Sequence, residues 1–156
     1  MKVLFVCDGN ICRSPLAAAY LKERASRLGL DNFAVDSVGL LGIEGAPAAP
    51  FSIALASDAG LDLTGHRSRG VTPADVQSAD LVLVMTTTQL ETLARRFPTG
   101  GPRRLLLRAF EHGETPRANP PGLDDPVRGP IEGYRRAFAI MRTCVDHLAS
   151  HLKRHP

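Results

Sequence analysis

Val3-Leu4-Phe5-Val6-Cys7-Asp8-Gly9-Asn10-Ile11-Cys12-Arg13-Ser14-Pro15 passes from an apolar run through a short loop into a helix start. The apolar run predicts a strand over residues 2–7. Ser14 suits an N-cap and Pro15 the first helical position, where a missing N–H costs nothing. A strand–loop–helix unit of this kind aims unpaired backbone N–H groups and the positive end of a helix dipole at one point. A phosphate-sized anion fits there, with Asp8, Gly9, Asn10, Ile11, Cys12, Arg13 and Ser14 as the phosphate-binding loop. Cys7 lies at its floor, and Arg13, six positions on, can curl back to clasp two oxygens in a fork. A helix N-terminus and a nearby cation favour thiolate over thiol, so the cradle that binds the anion also prepares its attacker. A bare Cys-x5-Arg spacing equally fits a buried, inert cysteine beside a chance arginine. The strand before it, Gly9 and Asn10 within it and Ser14-Pro15 after it select the cradle.

Strand and helix signals alternate beyond this point. A helix is expected over 15–28, stopped by Gly29, then a strand over 33–38 ending at Gly39. A Gly/Ala/Pro-rich segment (42–50) leads to a helix over roughly 51–59. Leu81-Val82-Leu83-Val84-Met85 is a continuous apolar run, as in a central parallel strand covered on both faces. Thr86-Thr87-Thr88 caps a helix running to about Phe97, and Arg103–Leu107 is a fourth strand. Residues 109–130 form a long Pro/Gly-rich loop, of a length often tied to function. Ile131, Tyr134, Phe138, Met141, Val145, Leu148 and Leu152 then recur at helical steps, a stripe read as core packing. The βαβαβαβα order predicts an α/β fold: a single-domain, doubly wound, four-stranded parallel sheet flanked by helices, spanning 1–156. In such sheets ligands bind beyond the carboxyl ends of the strands, where Cys7 falls.

Composition sets the bounds. The 156 residues are 44% apolar and 22% charged, with a net charge of +3, ordinary for a globular chain. The arginine pairs 95–96, 103–104 and 135–136 read as solvated element ends, and no aromatic–basic stretch suggests a nucleic-acid partner. No apolar run approaches a membrane span, and Met1 leads straight into strand residues, so neither a membrane partner nor a signal peptide is expected. Three cysteines, an odd count without zinc spacing, suggest neither a disulfide framework nor a metal, and a reducing, cytoplasmic setting is expected. No cofactor is expected.

Cleaving a phosphate ester with a thiolate still requires a proton for the leaving oxygen. Asp124-Asp125-Pro126-Val127-Arg128-Gly129-Pro130 offers an aspartate on a loop stiffened by Pro and Gly. By itself this stretch is also ordinary turn chemistry.

The two motifs together resemble the low-molecular-weight protein tyrosine phosphatases, over nearly the whole chain. The resemblance rests on residues 3–15, Asp36-Ser37-Val38-Gly39, Gly65-His66-Arg67-Ser68-Arg69, Ala79–Met85 and Asp125-Pro126. It implies a metal-free, two-step mechanism on a phosphorylated protein or peptide. In it Cys7 attacks phosphorus to give a thiophosphate, Arg13 and the loop amides hold the equatorial oxygens, and Asp125, directly before Pro126, is the general acid and then base. Ser14 matches a serine that hydrogen-bonds the thiolate. Asn10, with Ser37 and His66, matches a network that keeps the loop in shape. Cys12 matches a second loop cysteine able to form a disulfide with the nucleophile.

Several positions depart from the pattern. Asp8 stands where the family usually has an apolar residue or Thr, and is expected to face the rim and disfavour acidic substrates. Val127-Arg128 stands where groove aromatics usually follow Asp-Pro, and 40–50 supplies none. The protein arginine phosphatases are a sibling reading: they share a short segment before the second helix and an Asp-Pro-x-Gly-Gly-like loop, and an acidic rim suits a guanidinium. Ile11, where arginine-specific members tend to carry Thr, points to tyrosine, the reading adopted. Arsenate reduction lacks its cysteine relay around 80–90, and a silent phospho-binding module would have lost Cys7 or Asp125.

Overall fold

Successive side chains of a strand point to opposite faces, so a strand apolar at every position must be covered on both. The two such strands here, β1 (Lys2–Cys7) and β3 (Leu81–Val84), lie at the centre of a four-stranded parallel sheet ordered β2-β1-β3-β4. The edges are β2 (Ala34–Gly39) and β4 (Arg103–Leu106). The computed structural model describes residues 1–30, 32–98 and 101–155.

Val3, Phe5 and Cys7 of β1 and Leu81 and Leu83 of β3 share one core with α1 (Arg13–Arg27), α2 (Pro50–Asp58), α5 (Ile131–Arg154) and a 3₁₀ turn (Leu107–Phe110). Leu4, Val6, Val82 and Val84 face the other way, against Val76 of α3 (Pro73–Ser78) and Leu93 of α4 (Thr87–Arg96). The stripe on α5 is core as expected from its second member on: Tyr134, Phe138, Met141, Val145, Leu148 and Leu152 are all buried, as is Cys144, while Ile131 at the helix start is half-buried. From β1 the chain moves outward through α1 to β2, then crosses back to β3 on the opposite side of β1. The C-terminal end of β1 is therefore the switch point of the sheet, where two connections diverge and leave a crevice.

The structure departs from the sequence expectations at several element ends. Helix α1 begins at Arg13 rather than residue 15, and Ser14 is no N-cap. Cys12 occupies the cap position without a side-chain capping bond, and the Ser14 hydroxyl turns to Cys7 instead. Helix α3 was not anticipated, since six residues are too few to show a period. Its signal is local: Thr72 accepts from the Asp75 amide while the Asp75 carboxylate accepts from the Thr72 amide, a capping box. Strand β3 stops at Val84 because the Met85 amide donates to Gln89 Oε1 (2.8 Å) at the head of α4. Strand β4 ends at Leu106, and the 3₁₀ turn takes the first residues of the segment read as loop.

Candidate active site

Leaving β1 at Cys7, the chain has five residues in which to reverse into α1, and its neighbours fix the path through its carbonyls. Leu40 and Leu41 amides donate to the carbonyls of Cys7 (3.0 Å) and Asp8 (2.9 Å), and the Ala49 amide to that of Ile11 (2.8 Å). His66 Nε2–H donates to the Asn10 carbonyl (2.7 Å), and the Ser52 hydroxyl to that of Cys12 (3.3 Å). With these carbonyls engaged outside the loop, the amides of Asp8, Gly9, Ile11 and Cys12 make no hydrogen bond with the described residues. Four unpaired donors in one tight turn form an anion-binding concavity.

Asn10 is the keystone. Its φ is 57°, a left-handed conformation that Asn tolerates better than most residues, and it is fully buried. Its amide donates to Cys7 Sγ (3.3 Å) and its Nδ2 to the hydroxyls of Ser14 and Ser37 (both 2.9 Å). Its Oδ1 accepts from the Arg69 amide (3.1 Å). Gly39 stands against this turn: a Cβ there would lie 2.8 Å from the Asp8 carbonyl oxygen and 3.0 Å from Asn10 Cβ, so any side chain would push the loop out of shape.

Cys7, buried at the floor, has Ser14 Oγ at 3.0 Å in addition to the Asn10 amide. Arg13 is also buried, 2% exposed, and donates through Nη1 to the Leu123 carbonyl (2.9 Å). Its Nη2 lies 3.4 Å from Asp8 Oδ2 and 3.2 Å from Asp125 Oδ2, while its Nε is buried with no partner. A guanidinium this deep, fixed from behind and with a free donor, is set to receive an anion. Asp8 lies at the mouth as expected, about half exposed, with its charge turned to Arg13. Asp125 Oδ1 accepts from the Val127 amide (3.1 Å), which anchors the carboxylate to its own turn. The mouth is a cleft of about 290 Å³ lined by Cys7, Gly9, Ile11, Arg13, Asp125 and Arg128, among others. Asp124 does not line this mouth but a neighbouring cleft that Asp125 also borders.

Cys12 lines the mouth with Cys7, and both are free thiols. Burial pushes the Cys12 thiol above its ordinary value, only partly offset by the Tyr134 hydroxyl 3.5 Å away. Burial likewise pushes Cys144 up to about 12, in keeping with an inert core thiol. Among the described residues no three of His, Cys, Asp or Glu gather as a metal site, and no helix is long and apolar enough to cross a membrane.

Thus Cys7, Asn10, Arg13, Ser14, Ser37, His66 and Asp125, scattered over more than a hundred positions, meet at one end of the sheet. Sequence reasoning missed three supports. The Leu123 carbonyl and the Arg69 amide act through backbone, which carries no residue-type signal. Gly39 was legible only as a strand end.

Comparison with known proteins gives the family. A family model described as low molecular weight phosphotyrosine protein phosphatase matches residues 2–156. A protein-arginine-phosphatase of Geobacillus stearothermophilus is 33% identical over 152 residues, 97% of this chain and 96% of that protein. The "Probable low molecular weight protein-tyrosine-phosphatase EpsP" of Ralstonia solanacearum is 34% identical over 146 residues, 92% and 90% of the two chains. A solved structure of a YwlE arginine phosphatase mutant with a phosphorylated active-site serine superposes with a TM-score of 0.89 at 30% identity, covering 99% of this chain and 97% of that one.

Proposed function

Since this chain belongs to the low molecular weight phosphotyrosine protein phosphatase family, we propose that it hydrolyses phosphotyrosine in proteins or peptides through a phosphocysteine on Cys7. The observation that carries the reading is the buried Arg13 with its unpartnered Nε, beside four unpaired loop amides and above a thiol that faces two donors.

The phosphoryl group enters with its equatorial oxygens on those amides and on Arg13. Cys7 Sγ, as thiolate, attacks phosphorus opposite the ester oxygen. An S–P bond forms as the P–O bond breaks, and Asp125, entering protonated, passes its proton to the departing phenolic oxygen. The same carboxylate then takes a proton from water, whose oxygen attacks phosphorus and releases phosphate and the thiolate. The hydrogen bond between Ser14 and sulfur stabilises the charge that returns there. Asn10, Ser37 and His66 are positioning residues that hold the amides converged. The step draws on no metal or cofactor. In this reading residues 1–156 work as one domain in a reducing, cytoplasmic setting that keeps Cys7 a thiol, with no nucleic-acid or membrane partner.

Phosphotyrosine is favoured by the apolar walls of the mouth, where Ile11 and Ile43 meet over Gly9. Phosphoarginine is the second reading, supported by a mouth without aromatic residues and by the paired carboxylates of Asp8 and Asp125. The test is kcat/KM on matched phosphotyrosine and phosphoarginine peptides, with Cys7→Ser as the blank. A phosphotyrosine preference is expected. A phosphoarginine preference moves the chain to the sibling activity, and turnover that survives Cys7→Ser overturns the thiol mechanism.

A further inference from the structure

The acid loop carries one feature that the chemistry above leaves unused. Pro126–Gly129 is a tight turn closed by the Gly129 amide on the Pro126 carbonyl (2.9 Å), and its third residue is Arg128 with a φ of 62°. That position of a turn favours glycine or asparagine, and an arginine there costs backbone strain. Glycine stands one residue later, yet the strained place holds a long cation.

The turn also ties the backbone of that residue to the acid. Asp125 Oδ1 accepts from the Val127 amide inside the same loop, so the acid and Arg128 are tied to one short, hydrogen-bonded frame. Arg128 is exposed and lines the mouth of the cradle. Among the described residues it has neither a salt-bridge partner nor a side-chain hydrogen bond. The other charges at the mouth differ, since the carboxylates of Asp8 and Asp125 both lie against Arg13. The remaining rim is apolar, with Leu41 68%, Val127 40% and Ile43 38% exposed.

We propose that Arg128 is a specificity-determining residue that selects phosphopeptides carrying a carboxylate close to the phosphorylated residue. The substrate class is a phosphotyrosyl segment with an acidic neighbour lying along the acid loop and a non-acidic side on the Leu41–Ile43 wall. This reverses, on the Arg128 side of the mouth, the bias against acidic substrates that Asp8 alone suggests. The proposal rests on the phosphatase reading, and its test separates the two.

The experiment compares kcat/KM on phosphotyrosine peptides identical except for Glu, Gln or Lys beside the phosphotyrosine, tested on each side in turn. It uses the wild-type chain, Arg128→Gln, Arg128→Lys and Arg128→Glu, with Cys7→Ser as blank. The wild type should prefer Glu over Lys on one side by about fivefold, as for an exposed charge pair, and less at high salt. Arg128→Gln should bring that ratio towards one, Arg128→Lys should keep much of it, and Arg128→Glu should invert it. Because each ratio is taken within one protein, a general loss of activity cancels. A wild-type ratio near one on both sides, or a ratio unchanged in Arg128→Gln, overturns the proposal while leaving the phosphatase reading intact. An equal loss on all three peptides overturns it too, since the ratio is then unchanged and Arg128 acts on turnover rather than on the neighbouring charge. Absence of Cys7-dependent turnover on every peptide overturns both.

Discussion

Asn10 and Asp125 show how single side chains carry the site. Asn10 combines a left-handed backbone with hydrogen bonds to both serines and the Arg69 amide, all in a fully buried place. Asn10→Ala would lose those bonds and force Ala into a conformation it avoids. We expect a loss of about 2–4 kcal/mol in urea unfolding, together with lower kcat. Asp125 and Asp124 are adjacent in sequence and share one cleft, but only Asp125 also lines the mouth of the cradle and comes within 3.2 Å of Arg13. Asp125→Asn should lower kcat by roughly 10²–10⁴-fold, the range of a general acid, whereas Asp124→Asn should change it by less than about threefold. Steady-state kinetics on an aryl phosphate checks both, and a reversed order would move the acid to Asp124.

The elements differ in how they hold their places. Helix α5 is secured by an apolar stripe running from Tyr134 to Leu152. Helix α3 has two buried residues and relies on polar bonds at its start. Arg69 links it to the sheet, binding Asp75 through both Nη atoms (2.9 Å each) and Asp36 of β2 through Nη2 (2.7 Å). These bonds join the segment that supplies the Arg69 amide and His66 to the strand that carries Ser37. Thr72→Ala removes the cap and should cost about 0.5–2 kcal/mol, read as a lower urea midpoint. A midpoint unchanged within error would mean the Arg69 clamp alone secures α3.

For the whole molecule, charge burial sets how stability follows pH. His151, packed against Phe110 and His155, lies below the ordinary imidazole value because burial disfavours its cation, with His155 and Arg103 adding repulsion. Between its folded and unfolded values it is neutral in the fold and gains a proton on unfolding. Its contribution is therefore present above the unfolded value of about 6.5 and is lost as pH falls through the folded one. Glu111, held down by its bond from Arg108, has the same sign. So does Asp75, where burial opposes the charge but the bonds from Arg69 and Thr72 outweigh it. Both carboxylates act below about pH 4. The urea midpoint should thus decline gently as pH drops past about 6.5 and steeply below about 4. His151→Gln should flatten the first decline and leave the second.

Much of this was legible in order along the chain. Residues 3–15 specify a strand, a loop and a helix because apolar runs, Gly-Asn and Ser-Pro each restrict the backbone locally. The all-apolar 81–85 run specifies a doubly covered strand for the same kind of reason, and the α5 stripe follows from helical period. Local chemistry also named Cys7 and Arg13 and offered Asp124-Asp125 as the acid, of which the family resemblance implied Asp125. It could not say which way side chains turn once several elements compete for them. Ser14 fits a cap by sequence, yet a buried thiol at 3.0 Å and the Asn10 amide nitrogen claim its hydroxyl. Arg13 is fixed by the Leu123 carbonyl 110 residues away, and Gly39 is required by a strand neighbour that only the sheet brings near. Sequence by itself determined the strands, the longer helices and the reactive groups, since these depend on neighbours in the chain. Tertiary structure alone decided which aspartate reaches Arg13, which carbonyls are occupied so that the amides stay open, and where the Arg128 cation stands. Those depend on packing between segments far apart in the chain.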